Sequence, residues 1–173
     1  MAPLRILALS LLSLSLAACN SAPPTPQARF DPAEAAFLNR PGKTAITGQA
    51  FLPDKTGRAG VRYAAGEVVR LIPATSYAQA RLDAYFHGAK FAPAASIQKN
   101  DPDPQYLAHM RVTKAGPTGR FDFENVPPGR YFVSTQVIWK PEEKFSTEGG
   151  LIYEEVTVTG AETKPVEVIV SGK

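Results

Sequence analysis

The chain has 173 residues, 44% of them hydrophobic and 20% charged, with a formal net charge of +3. So small an excess, with no run of Lys or Arg, argues against a nucleic-acid partner, and a single cysteine rules out an internal disulfide framework. Past the N-terminal segment the chain is long enough for one domain with its own core.

The N-terminus has the parts of an export signal: one positive charge at Arg5, an apolar stretch over residues 6–16, and small residues at Ala17 and Ala18. Eleven residues span about 16 Å as a helix, whereas a bilayer core of ~30 Å needs roughly 20 apolar residues. A permanent transmembrane helix is therefore not expected. The sequence Leu16-Ala17-Ala18-Cys19 resembles the bacterial lipobox. That resemblance implies removal of residues 1–18, acylation of the Cys19 thiol, and a membrane held through the lipid. A multiply acylated thiol needs no further anchor, since acyl chains contribute about 0.8 kcal/mol per buried methylene. Residue 20 is Asn; in the similar sorting pattern of Gram-negative lipoproteins an Asp here favours the inner membrane, so the outer membrane is the preferred address.

Residues 20–29, NSAPPTPQAR, hold three prolines and no large apolar side chain, which suits an extended tether. Asp31-Pro32-Ala33-Glu34 has the chemistry of a helix start and predicts a short helix over 32–38, stopped at Pro41-Gly42. The lipidated N-terminus and tether thus run over 19–42, and one domain over 43–173.

In that domain short β segments alternate with Gly and Pro. Ile46, Gly48 and Ala50 share one face of a first strand, and Gly48 marks the close approach of another segment. Residues 53–57 read as a turn. A second strand over 67–72 carries Glu67, Val69 and Leu71 on one face and stops at Pro73.

Residues 74–105 break this rhythm. Ser76 and Gln79 have capping-box spacing, and Ala78, Leu82, Tyr85 and Ala89 recur at helical intervals around a stop at Gly88. An amphipathic helix of about three turns is predicted, followed by a proline-rich loop over 91–105.

Strands then resume. Leu107, Met110 and Val112 begin one, Gly116-Pro117-Thr118-Gly119 turns the chain into 120–124, and Pro128-Gly129 has type II turn chemistry joining that strand to 131–139 as a pair. Residues 151–159 and 166–170 complete seven strands, Val166, Val168 and Val170 sharing a face.

The segment TGRFDFENVPPGRYFV, residues 118–133, resembles the hallmark of carboxypeptidase regulatory-like domains, the transthyretin-like (prealbumin-like) β-sandwiches. Ile46-Thr47-Gly48-Gln49-Ala50 is similar to that family's first strand and Val69-Arg70-Leu71-Ile72-Pro73 to its second. The resemblance implies an all-β fold, a seven-strand Greek-key β-sandwich used as an accessory module in the cell envelope and lacking catalytic residues. The helical insertion at 74–105 departs from it. Phe121, Phe123, Val126 and Tyr131 are then core packing rather than a sugar-stacking platform.

Reactive chemistry is hard to assemble. The two histidines, His87 and His109, lie outside any HxH, HExxH or CxxC spacing, so no metal or cofactor site is expected. Asn100, Asp101 and Asp103 supply oxygen ligands, but interleaved prolines and the lack of a downstream acid favour an exposed turn over calcium. No GxSxG or SxxK pattern follows the signal, and no catalytic residue is assigned. The individual feature is the aromatic area of the insertion: Tyr85, Phe86 and His87, with Trp139, are the candidate ligand-binding residues, set against a helix that merely covers the sandwich. The leading expectation is a non-catalytic binding or structural module for another envelope protein or a glycan. The alternative is an enzyme of the prealbumin-like group with a site formed by the insertion.

Overall fold

The computed structural model describes residues 29–54, 60–97, 101–142 and 146–173. The expected signal, Cys19, residues 20–28 of the expected tether, Asn100 and residues 55–57 of the expected first turn lie outside them. The described residues form β1 (Thr44–Pro53), β2 (Val61–Tyr63), β3 (Val68–Pro73), α1 (Ser76–Phe86), β4 (Phe91–Pro93), α2 (Pro104–Ala108), β5 (Arg111–Lys114), β6 (Arg120–Val126), β7 (Gly129–Trp139), β8 (Glu148–Val158) and β9 (Val166–Val170).

These strands make two sheets. In the first, β1 pairs antiparallel with β2 and β6 and parallel with β9. The second is antiparallel throughout, in the order β4-β8-β7-β3-β5. Side chains alternate across each strand, so the second sheet presents two different faces. Val69, Leu71, Tyr131, Val133 and Ile152 point toward Ile46, Phe121 and Val168 of the first sheet and form the sandwich core. Ile72, Phe132 and Tyr153 point the other way, into a second core closed by Tyr77, Leu82 and Phe86 of α1 and by Phe30 and Tyr106. Each buried side chain of this size contributes roughly 1.5–3 kcal/mol. The helical insertion therefore covers the outer face of the five-stranded sheet.

Several local expectations hold. An ideal Cβ added at Gly48 falls 2.4 Å from the Val168 carbonyl oxygen and 2.5 Å from the Phe121 ring. Phe121, Phe123, Val126 and Tyr131 are buried in the sandwich core.

Other expectations are corrected. Nine strands are present among the described residues rather than seven, the additions being β2 and β4. Residues 91–105 are not a plain loop but contain β4, a 3₁₀ turn at Ala94–Ser96 and the start of α2. Leu107 accordingly sits in α2, and the strand begins only at Arg111. Residues 32–38 form turns leading into a 3₁₀ helix at Ala36–Asn39. α1 is capped by Thr75, whose hydroxyl accepts from the Ala78 N–H at 3.2 Å, and not by Ser76; it ends at Phe86, short of Ala89.

The largest correction concerns β6 and β7. They are not a hairpin: β6 belongs to the first sheet and β7 to the second, so Pro127-Pro128 carries the chain across the sandwich. Gly129 opens β7 and has no left-handed φ; that conformation falls on Asn125, at φ 53°. Glycine is needed at 129 for space, because a Cβ there would lie 2.4 Å from the Phe37 ring. The Tyr131 hydroxyl locks the crossing by donating to the Pro127 carbonyl at 2.8 Å, and burial pushes that hydroxyl up to about 12.

A candidate ligand cavity under the insertion

Where α1 and α2 lie over the five-stranded sheet they leave a cavity of about 310 Å³, at the small end of ligand-sized pockets of roughly 300–1,000 Å³. β3 supplies Arg70 and Ile72, β7 supplies Ser134 and Gln136, α1 supplies Arg81 and Tyr85, and α2 supplies Tyr106. Among the described residues the walls are otherwise apolar, and none of the side chains lining the space is acidic.

Helical spacing builds one wall. Tyr77, Arg81 and Tyr85 stand four residues apart and fall on one stripe of α1. The Arg81 guanidinium carbon lies 5.8, 5.5 and 5.6 Å from the ring centroids of Tyr77, Tyr85 and Tyr106, distances at which a ring face attracts a cation. Its Nη2 donates to the Tyr85 hydroxyl at 3.4 Å. Burial pushes the Tyr106 hydroxyl up to about 12, the charges of Arg81 and Arg70 pulling the other way. On the sheet side the Gln136 amide donates to Glu67 Oε2 at 2.8 Å and the Ser134 hydroxyl donates to the Ile152 carbonyl at 3.2 Å.

The four aromatic and histidine candidates do not converge. Tyr85, half-buried, and Phe86 both line the cavity, Phe86 also belonging to the second core with its ring 4.5 Å from that of Tyr153, but the other two lie elsewhere. His87 is exposed and ends α1 in a left-handed conformation, with φ 49°. Trp139, at the far end of β7, lines a separate cleft of about 280 Å³ with Leu52, Phe91, Glu148 and Lys173. The Arg62 guanidinium carbon sits 5.7 Å from the centre of its ring. His109 packs its ring 4.9 Å from Phe30 and places Nδ1 2.7 Å from the Gln105 carbonyl, while Asp103 caps α2. Among the described residues no three His, Cys, Asp or Glu side chains gather into a metal site. Cys19, the expected lipid-attachment residue, lies outside the described residues.

Sequence reasoning missed Arg70, Arg81, Tyr106, Ser134 and Gln136. Arg81 was within reach, since it shares the i, i+4 stripe with Tyr85; the strand residues are joined to it only by folding.

These features define a two-sheet β-sandwich with a ligand-sized cavity beneath a helical insertion. No protein-family model and no curated protein matches the chain. Among solved structures it is similar to one from Pseudomonas aeruginosa, described as a candidate carbohydrate-binding protein. Identity is 30%, the TM-score is 0.68, and the match covers 82% of this chain and 97% of the other. The chain belongs to the family of that Pseudomonas protein. A streptococcal ancillary pilin also matches, at 13% identity and a TM-score of 0.33 over 77% of this chain and 30% of the pilin.

Proposed function

We propose that this chain is a non-catalytic saccharide-binding module of the cell envelope, held by lipid on Cys19 and displayed at the outer membrane. The observation that carries the binding half is the kinship, across nearly the whole length of the other protein, with a candidate carbohydrate-binding protein. The cavity adds what sugar recognition requires: an aromatic face at Tyr85 for the apolar side of a pyranose, ringed by hydroxyl, amide and guanidinium groups from Ser134, Gln136 and Arg81. The anchoring half rests on the Leu16-Ala17-Ala18-Cys19 sequence. The carboxypeptidase regulatory-like resemblance of residues 118–133 supports an accessory role for the sandwich.

Titration of the protein with a panel of neutral and acidic oligosaccharides, followed by amide shifts, tests the binding half. Saturable shifts at Arg81, Tyr85 and Ser134, lost in Tyr85→Ala, are expected; shifts confined to the Trp139 cleft, or none with any sugar, overturn it. For the anchor, intact mass of the membrane-extracted protein should show a lipidated chain beginning at Cys19. An unmodified thiol defeats that half.

A further inference from the structure

Resting on the saccharide-binding reading, we propose that the cavity is built for an acidic saccharide, one whose carboxylate is gripped between Arg70 of β3 and Arg81 of α1. Two observations support this, the charge of the lining and the elements it comes from. Among the described residues, two guanidinium groups and no carboxylate line a space of about 310 Å³. The Glu67 carboxylate does not line this space; it accepts from the Gln136 amide at 2.8 Å, which leaves Gln136 one amide hydrogen for a ligand. The two arginines come from different elements, Arg70 from β3 in the sheet and Arg81 from α1 over it, and both line this one space.

The guanidinium group suits this task. It is planar, permanently charged, and offers paired N–H donors at the spacing of a carboxylate. Arg81 is also oriented in advance, lying against the rings of Tyr77, Tyr85 and Tyr106, so less side-chain freedom is lost when the anion arrives. Arg70 stands exposed on the sheet and supplies the opposite jaw. Between them the apolar wall from Ile72, Leu82 and Tyr85 receives the ring face of the sugar, leaving its hydroxyls to Ser134 and Gln136. A neutral sugar makes the ring contacts alone, and a bare anion makes the arginine contacts alone.

Calorimetric titration of the full chain in detergent separates these cases, with trigalacturonate, its fully methyl-esterified form and acetate as probes. The acid is expected to bind about tenfold or more tightly than the ester, with a preference that shrinks at high salt, and acetate not to bind measurably. Arg70→Gln is expected to lower affinity for the acid about tenfold and to leave the ester nearly unchanged, while Arg81→Gln is expected to weaken both and the acid more. Arg70, being exposed, can be exchanged without disturbing the core, so its variant keeps the test valid should Arg81→Gln misfold. Equal affinity for acid and ester, or an unchanged acid preference in Arg70→Gln, overturns this inference while leaving saccharide binding intact. Binding of acetate as tight as that of trigalacturonate also overturns it. Binding of neither trisaccharide overturns both.

Discussion

Glu34 holds the N-terminal end of α1 from 42 residues away: its carboxylate accepts from the Ser76 N–H at 2.5 Å and from the Ser76 hydroxyl at 2.7 Å. Those two bonds, the hydroxyl's first, hold its carboxyl below the usual carboxylate range. Thr75 satisfies another free N–H of the helix, that of Ala78, so two side chains share a cap that sequence spacing assigns to one. The segment preceding the sandwich is thereby tied to the wall of the cavity.

Glu34→Ala is expected to lower stability by about 1 kcal/mol, the usual worth of a helix cap. Urea unfolding of the single and double variants with Ser76→Ala checks it: the double should lose little more than Glu34→Ala alone, because both changes remove the same contact.

Gly129→Ala is expected to cost about 1–3 kcal/mol, since the new methyl group enters the Phe37 ring. Phe37→Ala frees that space. In a thermodynamic cycle measured by denaturant unfolding, the pair should therefore be less destabilised than the sum of its members. Strict additivity would mean that the glycine serves some other need.

Tyr131→Phe removes the donor to the Pro127 carbonyl and is expected to cost about 1 kcal/mol, the oxygen being left buried and unmatched. An alkaline absorbance titration offers a second check. Two of the six tyrosines, Tyr106 and Tyr131, should ionise near pH 12, and the variant should lose one of these late steps.

Glu162 accepts from the N–H of Thr159 at 2.6 Å and its hydroxyl at 2.7 Å, from the Gly160 N–H at 2.8 Å and from the Thr44 hydroxyl at 3.0 Å. The bonds from Thr159 first, with that from Thr44, lower its carboxyl from the ordinary 4.5 to about 2. A carboxyl lowered on folding stabilises the native state above the unfolded value, and the benefit fades as pH falls through the folded one. The stability gap between the natural chain and Glu162→Gln should accordingly be full at pH 6, shrink below about pH 4.5 and be gone by about pH 2. A gap independent of pH would contradict the assignment.

What could be read before folding follows from how far each signal reaches along the chain. Val166, Val168 and Val170 declare a strand by alternation, and Phe121 and Phe123 do the same, so their elements and buried faces were legible. β2 and β4 have three residues each and are strands only because β1 and β8 lie alongside them. Asp103-Pro104 carried the chemistry of a helix start, a capping side chain and then a proline at the first turn; two Asp-Pro steps in succession disguised it as loop. Pro127-Pro128 announces a change of direction, but which sheet the next strand enters depends on partners tens of residues away. The cavity divides in the same way. Tyr85 followed from helical periodicity and Phe86 from its place beside it, whereas Arg70 and Ser134 become neighbours only through the pairing of β3 with β7.

The centre of β7 has no solvent side: Tyr131 and Val133 enter one core and Phe132 the other. It is a party wall, and a change of volume on either side is transmitted to both rooms. Reshaping the ligand space from the strand would loosen the sandwich at the same stroke. The helices have no such second tenant, so the freedom to acquire a new specificity lies with Arg81, Tyr85 and their neighbours, while the strand beneath them is held to its present shape.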